Sequence, residues 1–462
     1  MTTSEAAQPS EGRRAIWPGN IPPPAMPYSP AITAGGWVFV AGQLASDYEN
    51  GVAPAARNPE GAPYLHDELE LQSRYVLSNL SRTLEAAGAD IRRDLVRIYQ
   101  WFTSPYPTYE EFEQGNTWPR ISITPYLRTL YGEFAVERRP ASTGMGVRQL
   151  LVAGTKVEVD MIAIPAREGM VREDVPAPEG VPAPLAGYSP GVRAGDWVFL
   201  AGEIPVDWMG DYGRSEHYGE PGGVALEART NPYFWYGVPI EAQTEYVLRK
   251  LDRIARAAGS SLERCVKATV YLGHPKDFAG MDRVWRSWFP SNPPARVVIP
   301  YMGLGGMGSR IEVAMKLLHN DSPLRIEAIT ADDAAEPLGH EPQAVKAGDF
   351  VFFSTQLPGL GGGLAPNMVR RPEFPYYGLV TRAQVDGVLD NVSKICSKAG
   401  TSLANIVRRQ CFHTDFTDFA EAMDAWARHF PKDPPASTTI EIGGPLFVPG
   451  AKFIYDLIAY AP

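Results

Sequence analysis

Apolar runs recur along this chain in a fixed order. Residues 28–42 read Tyr-Ser-Pro-Ala-Ile-Thr-Ala-Gly-Gly-Trp-Val-Phe-Val-Ala-Gly, and residues 188–202 read Tyr-Ser-Pro-Gly-Val-Arg-Ala-Gly-Asp-Trp-Val-Phe-Leu-Ala-Gly. Residues 341–355 read Glu-Pro-Gln-Ala-Val-Lys-Ala-Gly-Asp-Phe-Val-Phe-Phe-Ser-Thr. Each predicts a strand, a tight turn at the Ala-Gly step and a mostly buried second strand, because β-branched and aromatic residues flank a glycine turn. The spacing then changes from two to about 3.6. Val76, Leu80, Leu84 and Ala87, then Val247, Leu251, Ile254 and Ala258, then Val388, Val392, Ile395 and Ala399 each mark one face of a helix. Gly88, Gly259 and Gly400 follow where a left-handed C-terminal cap belongs.

Apolar strands are expected next at 96–102, 265–272 and 406–413. Second helices follow at 277–288 and 418–430, with a looser equivalent around 109–118 in the first copy. A Pro-Ala step at Pro140, Pro294 and Pro435 opens the final pair of strands, the last of them at 156–164, 310–317 and 452–459. The chain is therefore three diverged copies of one β-β-α-β-α-β-β unit of the α+β class. They span 15–168, 180–320 and 324–462, with linkers near 167–184 and 320–338. Helices on one face of each sheet leave the other face uncovered, and three joined units can cover one another. The economical arrangement is an intramolecular pseudo-trimer, and its rival is a string of independent beads.

Composition narrows the function. The 462 residues carry a net charge of −10 with 21% charged and 44% hydrophobic residues. That is a globular composition without the basic face that nucleic acid or an anionic membrane surface requires. Three cysteines without a Cys-x-x-Cys pair predict buried thiols, neither a disulfide framework nor a zinc ribbon. The first 14 residues read as a loose polar arm and no apolar run reaches 18, so a cytoplasmic location is expected. The seven histidines show no ligand spacing, and no metal site is expected. The glycine-rich stretch 303–308 lacks the lysine and the strand-to-helix setting of a phosphate loop. Aromatic segments at 231–237 and 373–378 either line a cleft or clamp one copy onto the next.

The stretches Ala-Gly-Asp-Trp-Val-Phe-Leu-Ala-Gly-Glu-Ile-Pro at 194–205, Ala-Ala-Gly-x-Ser-Leu at 257–262 continuing into Val-Lys-x-Thr-Val-Tyr-Leu at 266–272, Pro-Pro-Ala-Arg at 293–296 and Arg-Ile-Glu-Val-Ala at 310–314 resemble the signatures of the Rid (YjgF) family of enamine/imine deaminases. The resemblance covers nearly the whole chain, three times over. It implies a chorismate-mutase-like unit, normally a homotrimer with clefts between neighbouring subunits. It implies hydrolysis of reactive 2-imino or 2-enamino acids to keto acids and ammonia, with no cofactor or metal. It places the carboxylate-binding arginine at Arg296, where the other copies have Ser142 and Ser437, and a water-positioning glutamate at Glu312, matched by Glu158 and replaced by Ile454 in the third copy. Cleft-lining positions fall on Tyr188 and Tyr28, with Glu341 in the third copy, and on the backbone at Gly202 and Gly42. Val298 stands where many members carry a cysteine.

A planar guanidinium pairs bidentately with a carboxylate and serine does not. The resemblance therefore implies one fully equipped site, carried by Arg296 and Glu312, and a third repeat that is purely structural. The expected partner is a small carboxylate-bearing substrate, with further self-association left open. Two rival readings are a non-enzymatic small-molecule-binding protein and a hydrolase or lyase of other chemistry on the same scaffold.

Overall fold

A computed structural model gives the fold and describes residues 12–104, 107–114, 116, 121–207, 223–231, 236–374 and 378–462. Most of the insertion after residue 207 and parts of both aromatic segments, at 232–235 and 375–377, lie outside the described residues, as do 117–120 at the end of the loose first-copy helix.

Repeat 1 comprises β1 (Arg14–Ile16), β2 (Ala31–Ala34), β3 (Trp37–Leu44), α1 (Glu68–Ala86), β4 (Leu95–Thr103), the short helices α2 (Tyr109–Glu113) and α3 (Thr124–Arg128), β5 (Ala141–Val147), β6 (Gln149–Leu150) and β7 (Val157–Ala163). Repeat 2 comprises β8 (Arg172–Val175), β9 (Gly191–Ala194), β10 (Trp197–Glu203), α4 (Pro239–Ala257), β11 (Cys265–Leu272), α5 (Phe278–Trp288), β12 (Ala295–Ile299) and β13 (Ile311–Leu318). Repeat 3 comprises β14 (Ile326–Ile329), β15 (Ala344–Ala347), β16 (Phe350–Phe353), α6 (Val380–Lys398), β17 (Ile406–His413), α7 (Phe419–His429), β18 (Ala436–Glu441) and β19 (Phe453–Tyr460). The sheet orders correspond: β1-β2-β3-β7-β4-β5, β8-β9-β10-β13-β11-β12 and β14-β15-β16-β19-β17-β18.

The local signals act as read. Gly35, Gly195 and Gly348 take the positive φ that each hairpin turn needs, and Gly88, Gly259 and Gly400 take it at the helix ends. The pairs β4–β5, β11–β12 and β17–β18 are parallel, as a connection through a helix demands. The three cysteines are buried and free. Among the described residues no helix is long and apolar enough to cross a membrane.

Two expectations need correcting. The linkers are not merely connectors: β8 and β14 each add an edge strand to the repeat that follows, as β1 does for repeat 1. The N-terminal arm is not loose to its end either. Arg13 is buried and donates to the backbone oxygens of Ile406 (3.0 Å) and Asp433 (2.8 Å), which ties repeat 1 to repeat 3. A paired strand and a buried guanidinium satisfy polar groups that polar residues in a linker do not reveal.

Each repeat has its own core between helices and sheet. A further core, shared by all three, fills the space between the opposite sheet faces. Equivalent residues meet there. Trp37 lies 4.9 Å from Trp197 and 4.7 Å from Phe350, and Trp101 lies 6.2 Å from Tyr271 and 5.6 Å from Phe412, ring centroid to centroid. Burial on both faces is why the strands read as continuous apolar runs. The contacts run in a ring. The Pro-Ala edge of each repeat meets the hairpin segment that runs from Tyr-Ser-Pro to the glycine position, or its equivalent, in the next: Ser189 N donates to Pro140 O (3.1 Å), Thr355 N to Arg296 O (2.9 Å) and Ser29 Oγ to Pro434 O (2.6 Å). Strand β6 of repeat 1 also pairs with β18 of repeat 3. The glycine stretch has its use here: Gly303 and Gly146 exchange backbone hydrogen bonds of 2.8 and 2.9 Å between repeats 2 and 1.

Candidate active site between repeats

This ring determines which residues can meet. The arginine position on a repeat's edge strand faces the helix side, whereas the glutamate position two strands in faces the shared core. In repeat 2, Arg296 packs its guanidinium over Trp285 (4.9 Å) and Phe278 (5.6 Å) of α5. Glu312 lies between Ile311 and Val313, which face the helices, and so points to the opposite face. Arg296 and Glu312 therefore do not share a cleft. Each cleft instead takes the arginine position of one repeat and the tyrosine, glycine and glutamate positions of the next.

The cleft between repeats 2 and 3 receives Arg296 but is filled from within. Arg296 Nη2 donates to Asp282 Oδ1 and to Glu341 Oε2, both at 2.5 Å, and the side chain is fully buried. Glu341 stands in the tyrosine position, Thr355 in the glycine position and Ile454 in the glutamate position. Arg296 pulls the Asp282 carboxyl below its ordinary range against the cost of burial, while burial holds Glu341 above its own. Nη1 donates to Met281 Sδ (3.4 Å), so that only the buried Nε lacks a partner, and the charge of this arginine is already matched by two carboxylates.

The cleft between repeats 1 and 2 has the complementary defect. It holds Tyr188, Gly202 and Glu312, and a Cβ at position 202 would collide with Glu312 Oε1 and Thr143 Oγ1. Burial pushes Glu312 up to about 8, partly opposed by Arg97, and it pushes the Tyr188 phenol up as well. Facing them, Ser142 is paired with Gln100 (3.0 Å). Arg97 is spent on Leu200 O (2.7 Å) and Thr143 Oγ1. Lys250 is paired with Glu203 (2.7 Å).

The third cleft, between repeats 3 and 1, has the full set. Tyr28, Gly42 and Glu158 come from repeat 1. A Cβ on Gly42 would strike Glu158 Oε1, so glycine is the residue that lets this carboxyl sit against the strand. Burial and the neighbouring Asp160 hold Glu158 well above the usual carboxylate range, opposed by the Thr439 backbone N–H that it accepts from. Repeat 3 supplies Arg409, next to Ser437 in the β17–β18 register. Its guanidinium carbon lies 4.0 Å from the Trp426 ring centroid, the place over the equivalent tryptophan that Arg296 takes in repeat 2. Nε donates to Ser437 Oγ (2.6 Å) and Nη2 to Thr439 Oγ1 (3.2 Å). Nη1 is buried without a partner of hydrogen-bonding geometry, as is Glu158 Oε2; the Tyr455 hydroxyl, likewise unpartnered, lies close to the guanidinium. Arg409, Ser437, Glu158, Gly42 and Tyr28 line one cavity of about 20 Å³, room for a single water-sized molecule.

Repeat 3 thus brings a guanidinium to a cleft although its edge position is a serine: Arg409 lies beside Ser437 on the adjacent strand. Alignment of the edge strand alone misses Arg409. The signal was the Arg408-Arg409 pair inside a strand otherwise read as buried, since two buried arginines need specific partners. Arg408 finds its own at Asp160 (2.7 Å), toward the shared core. Among the described residues no group of three or more His, Cys, Asp or Glu side chains is placed to hold a metal ion.

The family profile described as Endoribonuclease L-PSP matches residues 19–165, 179–316 and 332–459. A RutC family protein of Pyrococcus horikoshii is 33% identical over 122 residues, 26% of this chain and 79% of its own. A 3-aminoacrylate deaminase, RutC, of Acinetobacter baylyi is 28% identical over 142 residues, 31% of this chain and 94% of its own. A 2-iminobutanoate/2-iminopropanoate deaminase of Rattus norvegicus is 30% identical over 132 residues, 29% of this chain and 80% of its own. Among solved structures, RidA of an Antarctic Psychrobacter species is 28% identical and covers 29% of this chain and 98% of its own, with a TM-score of 0.24.

Proposed function

Since the chain belongs to the Endoribonuclease L-PSP family, with deaminases of imino and enamino acids among its relatives, we propose that it hydrolyses a 2-imino carboxylic acid to the keto acid and ammonia at the cleft between repeats 3 and 1. The observation that carries this reading is that one cavity is lined by Arg409, whose buried Nη1 has no partner of good hydrogen-bonding geometry and only the neutral Tyr455 hydroxyl close by, and by Glu158, whose buried Oε2 has none. A 2-iminium carboxylate has one charge for each. Its carboxylate satisfies the guanidinium, whose two inner nitrogens are already braced by Ser437 and Thr439. Its iminium nitrogen lies toward Glu158 and favours the ionised carboxylate, against the burial that favours the acid.

Water adds to C2 while Glu158 takes its proton. The same carboxyl returns a proton to the carbinolamine nitrogen. The C–N bond then breaks, its electron pair leaving with ammonia, while the carbinolamine hydroxyl gives its remaining proton to Glu158 as the carbonyl forms; that proton departs with the ammonia as ammonium. Anchoring the carboxylate in a water-poor cleft holds C2 within reach of one water, and the fixed dipoles around it need little reorganisation during the reaction.

The test is ammonia release from 2-iminopropanoate generated in situ. Two charge-assisted hydrogen bonds are lost in Arg409→Ala, roughly 3–5 kcal/mol, so kcat/KM should fall by about 10²–10⁴-fold. Glu158→Gln keeps the shape and loses the proton transfer, so kcat should fall with little change in KM. Arg296→Met should keep the wild-type kcat/KM. Activity that survives Arg409→Ala and vanishes in Arg296→Met would overturn the assignment of the cleft.

A further inference from the structure

The cavity beside Arg409 is too small for the substrate just proposed. It holds about 20 Å³, whereas a six-heavy-atom molecule such as benzene occupies a cavity on the order of 150 Å³. The smallest 2-imino acid with a side chain also has six heavy atoms. A substrate must therefore displace a piece of the wall about the size of a ring.

Most of the wall cannot move cheaply. Gly42, Glu158 and Arg409 are buried on strands with neighbours on both sides, and Ser437 is buried on β18 against β17. Tyr48 is different. It lies beyond the end of β3 on the short loop between the bridged residues Ser46 and Val52, and it is half-buried. Its φ is 63°, a left-handed conformation that costs a bulky residue on the order of 1–3 kcal/mol. The loop is braced within itself: Tyr48 N donates to Ser46 Oγ (2.9 Å), and Asp47 Oδ1 accepts from the backbone of Glu49 (3.0 Å) and Asn50 (2.8 Å). Across the cavity, Tyr48 has a single hydrogen bond, between its hydroxyl and that of Tyr28 at 2.7 Å.

We propose that Tyr48 is the specificity-determining lid of this cleft: its ring fills the space that the body of the substrate takes, and its return over the bound molecule restricts the site to short-chain 2-imino acids. The proposal rests on the functional reading above. Swinging the Tyr48 side chain outward breaks one hydrogen bond between neutral groups, worth about 1 kcal/mol. It frees roughly the volume of one phenol. A substrate with a methyl or ethyl side chain fits within the vacated space and leaves the displaced ring room to fold over the mouth of the cleft, whereas an aromatic side chain occupies the mouth as well and leaves the ring no place against the bound molecule.

The experiment is calorimetric titration of the full chain with two keto acids, 2-oxopropanoate and 3-phenyl-2-oxopropanoate, as stable stand-ins for the imines. Wild type and Tyr48→Phe, which keeps the ring, should prefer the small acid by at least about tenfold, the discrimination expected of a filled apolar pocket. Tyr48→Ala and Tyr48→Leu should bring the two affinities within about threefold, or reverse them. The Leu variant guards against a folding defect in the Ala variant. If both ring-less variants keep the wild-type ratio, or if wild type binds neither acid, the proposal is overturned. Arg409→Ala tests the underlying reading separately: it should abolish binding of both acids whatever stands at position 48.

Discussion

Glu312 carries a measurable consequence of having lost its arginine partner. It is buried in the cleft between repeats 1 and 2, facing Ser142 in place of a cation, and burial pushes its carboxyl up to about 8 despite Arg97 and Lys250 nearby. In the unfolded chain it returns to the ordinary 4.5. Below that value both states hold the proton and the residue contributes nothing to the pH dependence. Between about 4.5 and 8 the unfolded chain releases the proton and the folded chain keeps it, so stability falls as pH rises. Above about 8 both states are ionised and the loss is complete. At 1.36 kcal/mol per pH unit, the full loss is roughly 5 kcal/mol. Glu312→Gln keeps the shape and hydrogen-bonding reach without a titrating proton. The difference in unfolding free energy between variant and wild type should therefore grow by several kcal/mol from about pH 4.5 to about pH 8.5, in favour of the variant. Urea unfolding followed by tryptophan fluorescence at four or five pH values measures it. Parallel stability curves would refute the reasoning, because they would mean that Glu312 is ionised in the fold and hence has a cationic partner that the geometry does not show.

Three further outcomes follow from other parts of the molecule. Tyr99 is buried among Lys316, Arg97 and Arg408, which bring its phenol down to about 8; one tyrosinate should appear near that pH in difference absorbance and disappear in Tyr99→Phe, and because the folded value is depressed its contribution to stability should grow as pH rises from about 8 to about 10. Removing the Arg296 charge alone, in Arg296→Met, leaves Asp282 and Glu341 buried without their cation and should cost about 3–5 kcal/mol in urea unfolding, whereas Arg296→Met combined with Asp282→Asn and Glu341→Gln should recover much of that loss. Gly303→Ala puts a Cβ 2.9 Å from the Gly146 Cα where repeats 2 and 1 exchange backbone hydrogen bonds, and thermal unfolding should show a loss of about 1–3 kcal/mol.

The fold was legible because its signals are local. The Ala-Gly turns, the 3.6-residue spacing that ends at Gly88, Gly259 and Gly400, and the Pro-Ala steps each fix a short piece of backbone, and each recurs three times. The edge strands β1, β8 and β14 escaped notice because their residues are polar or short, and they are strands only because a neighbour offers free hydrogen-bonding groups. The site was half legible. Tyr28, Gly42 and Glu158 were identified by their place in the repeat, and the structure puts them in one cavity. The leading pair, Arg296 and Glu312, was drawn from one copy because the motifs are contiguous there, but a strand alternates its faces and the two residues point to opposite sides of the same sheet.

By itself the sequence determined the repeat, the unit's order of elements, the α+β class and the residue types from which a cleft can be built, because turns, caps and periodicity act within about twenty residues. Only the tertiary structure decided which copy's arginine meets which copy's glutamate. That choice depends on the closure of the ring, which brings Pro434 and Ser29 together across some four hundred residues of chain. It also depends on electrostatic satisfaction: Arg296 is already paired with Asp282 and Glu341, whereas Arg409 is braced by hydroxyls that carry no charge, and only a guanidinium without a buried counter-charge can hold the carboxylate of a ligand.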